Sequence, residues 1–287
     1  MNKNSDSKDT YFSPKTTLSF AGKSLNLDTP KIMGVLNVTP DSFYDGGEYE
    51  GEGAIQKQME KMLLDGADII DLGAYSSRPG AEEVSINEEK RRVRKAMNAI
   101  NEVSSEVLVS IDTFRSEVAQ VALDNGAFMV NDISGGSLDE EMYSFLASTN
   151  VPYVMMHMKG DPQTMQSLTD YDNVTQSVFS FFEQKKKELK GLGATQVILD
   201  PGFGFAKTLD QNYDLLSEVE LLTGLGAPVL VGVSRKSMIY KLLEIEAQEA
   251  LNGTSVLNTI ALLKGASILR VHDVKEARET VTLVSKL

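Results

Sequence analysis

Short apolar runs recur eight times along the chain, at residues 31–38, 67–74, 107–113, 128–135, 152–157, 196–202, 228–234 and 267–273. Each is rich in Val, Ile, Leu or Met and shows no polar alternation, the pattern of a strand buried on both faces. Between them lie longer stretches with apolar residues at helical spacing, among them 55–64, 88–103, 116–123 and 209–222. Strand alternating with helix predicts parallel βαβ units. A punctuation mark recurs as well. Gly66-Ala67, Gly126-Ala127, Gly193-Ala194, Gly226-Ala227 and Gly265-Ala266 each close a helical stretch just before a strand, where glycine supplies a left-handed helix cap. Eight units predict an α/β protein folded as a closed (β/α)₈ TIM barrel rather than an open doubly wound sheet.

Residues 16–28, with Gly22-Lys23 at their middle, predict an extra β-hairpin ahead of the first unit that plugs the barrel's bottom. The expected organisation is a polar tail over 1–15 and a barrel domain over 16–287. A chain of 287 residues is long for one ordinary domain, but barrels of about 250 residues are routinely single units.

Composition then narrows the function. There is no cysteine, which removes disulfides, thiolate metal sites and cysteine nucleophiles together and fits a cytoplasmic protein. No run reaches the ~18 apolar residues of a membrane span, and the opening decapeptide lacks the apolar stretch of a signal peptide. The formal charge of −13, from 28 basic and 41 acidic residues, argues against a nucleic-acid binder. It also draws attention to the basic residues that do not lie on helix faces.

Candidate chemistry collects where a barrel keeps it, at the carboxyl ends of the strands. In chain order those ends carry Asn37, Asp71, Asp112, Asn131, His157, Asp200, then Ser234-Arg235-Lys236, then Arg270 and His272. An unpartnered buried polar group costs about 1–3 kcal/mol, so a polar residue on nearly every strand end points to a site for a flat, nitrogen-rich ring. Asp112 and Asp200 each end an otherwise apolar strand and carry this reading best. Asp71 reads equally well as a loop cap or as a partner of Arg78, and His157, within Met155–His157–Met158, as a packed core histidine. The cations at 235–236 and 270–272 follow predicted strands seven and eight, where barrels commonly hold phosphate; the alternative for each is a salt bridge to a neighbouring carboxylate. Residues 39–53 and 75–85 form long loops after the first two strands, candidate lids over the site.

Asn37-Val38-Thr39-Pro40-Asp41-Ser42-Phe43 with Asp45-Gly46-Gly47 resembles the first signature of the dihydropteroate synthase family, and Ser76-Ser77-Arg78-Pro79-Gly80-Ala81 its second loop. Ser110-Ile111-Asp112-Thr113, Asn131-Asp132-Ile133, Met156-His157-Met158, Asp200-Pro201-Gly202-Phe203-Gly204-Phe205, Ser234-Arg235-Lys236-Ser237 and Arg270-Val271-His272-Asp273 follow in that family's order. The ordered set, from about residue 18 onward, is far more specific than any one motif.

The resemblance implies a transferase of folate biosynthesis. It would condense 6-hydroxymethyl-7,8-dihydropterin diphosphate with 4-aminobenzoate, giving 7,8-dihydropteroate and diphosphate, and would be a target of sulfonamides. It implies that Asp112, Asn131 and Asp200 bond the pterin edge, with Met156 packed against the ring. Lys236, Arg270 and His272 would act on the reacting groups: Lys236 at the pterin carbonyl, Arg270 stacked on the ring, and Arg270 with His272, Ser77 and Arg78 around the diphosphate. Phe43, Pro79, Phe205 and Ser234 would line the aminobenzoate pocket, and Asn37 would ligate Mg²⁺. The family also implies a homodimer, for which the apolar content of residues 253–263 is a weak independent sign.

Two departures stand out. Ser77 occupies a position that is usually threonine, and Tyr75 one that is usually a carboxylate. A pterin-dependent methyltransferase acting on a corrinoid, or a non-catalytic paralogue, would share the barrel, but neither explains the intact first and second loops. Because Phe43 and Pro79 lie on those loops, 4-aminobenzoate is expected to bind after the pterin diphosphate.

Overall fold

The computed structural model describes residues 17–38, 52–75 and 84–287; the tail expected over 1–15 and most of both long loops lie outside them. Each apolar run predicted as a strand contains one: β3 (Lys31–Asn37), β4 (Ile69–Gly73), β5 (Leu108–Asp112), β6 (Met129–Asp132), β7 (Tyr153–Met156), β8 (Val197–Asp200), β9 (Leu230–Val231) and β10 (Ile268–Val271). All neighbours are parallel, in the order β8-β7-β6-β5-β4-β3-β10-β9. A parallel bridge between Leu199 and Val229 joins β8 to the residue before β9 and brings the ends of the sheet together. The strands are shorter than the apolar runs because the runs continue past the ladder into the loop bases.

Helices follow the strands: α1 (Glu52–Leu64), α2 (Ile86–Val103), α3 (Ser116–Asp124), α4 (Met142–Thr149), α5 (Val174–Leu192), α6 (Leu209–Ser217), α7 (Glu220–Thr223), α8 (Ser237–Leu243), α9 (Leu251–Leu263) and α10 (Val274–Val284). The stretch read as one helix over 209–222 is two, interrupted at Glu218 and Val219. The five punctuating glycines all take the left-handed conformation, φ 65° to 103°, as a helix cap requires.

The extra hairpin is present as β1 (Thr17–Phe20) and β2 (Lys23–Asn26), antiparallel. Its turn residues Ala21 and Gly22 both have positive φ, the primed geometry that matches strand twist. Leu18 and Leu25 are buried against Met33, Ile69, Met129, Val154, Ile198 and other residues inside the barrel. Gln196 clamps the hairpin by accepting from Ser19 N and donating to Ser19 O, both at 2.8 Å. The hairpin therefore fills the lower mouth of the barrel, as the sequence predicts.

Side-chain alternation along the strands does the rest. Ile32, Ile70, Val109, Val130, Met155, Leu199 and Leu269 belong to the larger apolar cluster shared with the helices. Their neighbours Met33, Ile69, Met129, Val154, Ile198 and Ile268 pack with the hairpin in the barrel interior. Two residues further along that inner face stand Asp71, Asn131, Met156, Asp200 and Arg270. The apolar floor ends and a polar upper layer begins.

Candidate active site

Strand register assembles the upper layer. Asn37 pairs with Gly73, Gly73 with Asp112, and Asp112 with Asn131, so these residues lie side by side on β3 to β6; Met156 pairs with Asp200 across β7 and β8. Into this layer reaches Arg270 from β10. Its Nε donates to Asp71 Oδ2 at 2.7 Å and its Nη2 to Asp112 Oδ2 at 2.7 Å. Asn131 Nδ2 donates to the same Asp71 oxygen at 3.0 Å. Asp71 is fully buried, and its other oxygen has no partner among the described residues. Asp71 thus anchors Arg270 and Asn131; Arg78 and most of the loop that Asp71 was expected to cap lie outside the described residues.

The electrostatics follow from dry surroundings. Burial opposes the charge of Arg270, but Asp71 and Asp112 outweigh it and hold the guanidinium above its ordinary pKa. Burial pushes Asp112 and Asp200 upward; Arg270 opposes this at Asp112, and chiefly Lys236 at Asp200. Asp200 Oδ1 also accepts from Gly202 N at 2.8 Å. Lys236 is lowered to about 8 by burial in spite of Asp200. Its ammonium donates to Phe203 O and lies 4.7 Å from the centre of the Phe205 ring. Three carboxylates and their cations thus share one layer in which Asp71 and Asp200 are buried and Asp112, Lys236 and Arg270 are partly open to solvent, the arrangement that tunes ionisable groups at functional sites.

Ser234 and His272 form a second pair. His272 N donates to Ser234 Oγ at 3.1 Å, and the hydroxyl lies 3.1 Å from His272 Nδ1. A hydroxyl that accepts from the backbone and donates to Nδ1 leaves the ring proton on Nε2. Although its side chain is partly open to solvent, the surrounding protein, followed by the Arg270 charge, holds His272 below its ordinary value, so the imidazole is a neutral donor at neutral pH. Arg235, which the sequence offered as an anion ligand beside Lys236, is turned elsewhere. Its positive φ swings the side chain into a two-point pair with Asp273 at 2.7 and 2.8 Å, and its Nη1 donates to Gln248 O. Arg235 ties the loop after β9 to the start of α10.

An apolar wall of Met156, Met158, Met165, Ile133 and Ala206, with Phe114 and Phe205 against it, stands beside the polar layer. His157 is a core histidine. Its ring meets Phe181 edge-on at 5.0 Å, and burial lowers it to about 2. Gly202 passes so close to β7 that a Cβ there would stand 2.1 Å from His157 O, which only glycine allows.

Tyr75, whose role the sequence left open, packs edge-on against Phe114 at 5.3 Å, with the Arg115 guanidinium 5.3 Å from its ring. Arg115 also donates to Val84 O and to the buried Glu89. The two ends of the segment 76–83 are therefore held by one arginine. Ser77, Arg78, Pro79 and Phe43, expected at the diphosphate and aminobenzoate, lie outside the described residues.

No group of three or more His, Cys, Asp or Glu converges as a metal site among the described residues. A magnesium ion held mainly by substrate phosphates and water needs only one or two protein oxygens, and Asn37 fits that demand. Its Oδ1 lies over Gly73, where an added Cβ would come within 2.8 Å of it, so the missing side chain is what gives the amide its place at the strand end.

A parallel barrel that gathers buried carboxylates, an arginine and a lysine at its strand ends is an enzyme built around a flat polar heterocycle. Residues 33–272 match the pterin binding enzyme family, and the chain belongs to it. It is 45% identical, over 85% of its own length and 85% of the relative's, to a dihydropteroate synthase of Synechocystis. In three dimensions it resembles the Yersinia pestis dihydropteroate synthase solved with a sulfonamide drug, with a TM-score of 0.86 and 37% identity, covering 94% of this chain and 98% of that one. It also resembles the Xanthomonas albilineans dihydropteroate synthase solved with 7,8-dihydropteroate, with a TM-score of 0.84 and 33% identity, covering 94% and 98%.

Proposed function

We propose that this chain carries out the dihydropteroate synthase reaction of folate biosynthesis, joining 6-hydroxymethyl-7,8-dihydropterin diphosphate to 4-aminobenzoate with release of diphosphate. The observation that carries this reading is the in-register row of Asp112 and Asn131, faced by Asp200 and tied together through Arg270 and Asp71. A pterin edge alternates N–H donors with acceptors, and carboxylates beside an amide answer that alternation.

In the reaction the bond between the pterin methylene carbon and the diphosphate oxygen breaks, and the ring supports the resulting cation. The aniline nitrogen then gives its lone pair to that carbon and loses a proton. Arg270, charged and held at two points, faces the departing anion; neutral His272 offers its Nε2–H beside it. Lys236 contacts the pterin carbonyl, and Phe205 and Ser234 shape the place of 4-aminobenzoate, with Phe43 and Pro79 supplied by the loops. Ser77 and Arg78 complete the diphosphate site. Met156 packs against the ring. Asn37 would hold Mg²⁺, which supplies charge neutralisation for the diphosphate when bound.

Sulfonamides, as mimics of 4-aminobenzoate, are expected to compete for the same pocket. Exposed Val256 and Leu263 on α9 support a homodimer through this helix. No helix among the described residues is long and apolar enough to cross a membrane, and together with the lack of cysteine this supports a cytoplasmic enzyme. Measuring diphosphate release with and without 4-aminobenzoate tests the function. Release that requires both substrates supports it, and release indifferent to 4-aminobenzoate refutes it.

A further inference from the structure

Lys207 is a buried lysine that no part of this mechanism uses. It is only 7% exposed, yet it lies in no ion pair within bonding distance among the described residues. Its ammonium donates instead to Gly202 O and Phe205 O, both at 3.0 Å, and stands 3.2 Å from His157 Nδ1. The ammonium also reaches His157 O at 3.5 Å, so its hydrogens face four acceptors, two of them carbonyl oxygens of one turn and two of them on His157. Burying an ammonium is costly, and burial lowers this one to about 7 in spite of the Asp200 charge. A salt bridge or an apolar side chain would serve stability alone more cheaply.

What the lysine holds is specific. The turn from Asp200 to Ala206 carries at its start the carboxylate expected to read the pterin. It carries Phe205 at its far end, and Phe203 O, the acceptor for Lys236, between them. Gly202 and Ala206 both have positive φ, so the turn is a sharp loop whose carbonyls point inward and need donors. Gly202 O takes the Phe205 N–H at 3.1 Å, and Lys207 adds a second donor to it and one to Phe205 O; through His157 the lysine fastens the turn to the end of β7, where Met156 stands. His157, kept neutral by burial, is fit to accept rather than to compete as a second cation.

We infer that Lys207 is a positioning residue: it fixes the turn after β8 so that Asp200, Phe205 and Lys236 meet the pterin and 4-aminobenzoate together. This rests on the proposed pterin reading, and it divides the site in a way that reading does not. The pterin half depends on Lys207, whereas the diphosphate half, built on Arg270, His272 and Asn37 from β10 and β3, does not.

The test is calorimetry on Lys207→Met and Lys207→Gln, the second of which keeps two N–H donors without the charge. The two probes are 6-hydroxymethylpterin and inorganic diphosphate with Mg²⁺. Folded Lys207→Met should lose roughly tenfold or more in pterin affinity, because a turn that shifts misplaces the Asp200 carboxylate, and about 1.4 kcal/mol of weakened contact there suffices. It should keep diphosphate affinity within about twofold, and Lys207→Gln should recover part of the loss. Equal loss of both ligands, pterin affinity unchanged in Lys207→Met, or failure of both variants to fold would assign Lys207 to stability alone and overturn the inference. The parent protein separates this from the wider proposal: if it binds 6-hydroxymethylpterin but makes no dihydropteroate, the reaction is wrong while Lys207 remains testable.

Discussion

Arg270 and Asp71, 199 residues apart in the chain, meet at 2.7 Å above the apolar floor of the barrel. The bond sets the direction of the guanidinium before any ligand arrives, because Asp71 is buried and cannot move aside. Asp71→Asn would keep the shape and remove the charge. A hydrogen bond to a charged group is worth about 1.5–3 kcal/mol, so urea unfolding should show a loss of that order. Turnover should fall by roughly tenfold or more, since about 1.4 kcal/mol of misplaced transition-state contact suffices for that. Stability and turnover both unchanged would show that Arg270 is held by Asp112 alone.

The pterin edge can be tested at Asp200. It ends β8 as a buried acceptor whose Oδ1 already takes the Gly202 N–H, leaving Oδ2 for a ligand. Asp200→Asn puts a donor where an acceptor stood, a mismatch worth about 1–3 kcal/mol. Titration with 6-hydroxymethylpterin should weaken roughly tenfold or more; an affinity within about twofold of the parent would remove Asp200 from ring recognition.

His272 predicts a proton signature. The surrounding protein and the Arg270 charge hold it below its ordinary value in the empty protein, so it is largely neutral there. An anion placed against it raises that value, and at a pH of about 5.5 the complex should carry a proton that the empty protein lacks. Calorimetry of diphosphate binding in buffers of different ionisation enthalpy should therefore show extra proton uptake in the parent relative to His272→Gln. Identical uptake in the two would mean that His272 does not touch the anion.

How much of this was legible beforehand differs by residue. Asp112, Asn131, Asp200 and Arg270 stood out because a polar residue ending an apolar strand is visible in one dimension, and the register then brought them together. Lys207 did not stand out, because its meaning lies in carbonyls turned inward by a loop of positive φ, and no residue pattern announces where a backbone oxygen points. Arg235 and Lys236 looked like one signal. A left-handed φ at Arg235 sends the two side chains to different duties, one to Asp273 and one toward Phe203 and Phe205. Asp71 was legible as a polar strand residue, but its partner comes from the last strand, which only closure of the barrel brings near.

Gly73 offers a test of the metal reading. A Cβ there would stand 2.8 Å from Asn37 Oδ1, so Gly73→Ala must displace the amide. The Mg²⁺ concentration for half-maximal rate should rise by roughly tenfold, about 1.4 kcal/mol of lost ligation, with 6-hydroxymethylpterin affinity unchanged. An unaltered Mg²⁺ requirement in Gly73→Ala would take Asn37 out of the metal's coordination.

The central claim is that these strand ends join a pterin to 4-aminobenzoate. Its most direct test is mass spectrometry of a reaction supplied with isotope-labelled 4-aminobenzoate, the pterin diphosphate and Mg²⁺. The account predicts labelled 7,8-dihydropteroate and diphosphate appearing in equal amounts, and neither product in Arg270→Ala. Diphosphate released without label entering a pteroate would contradict it.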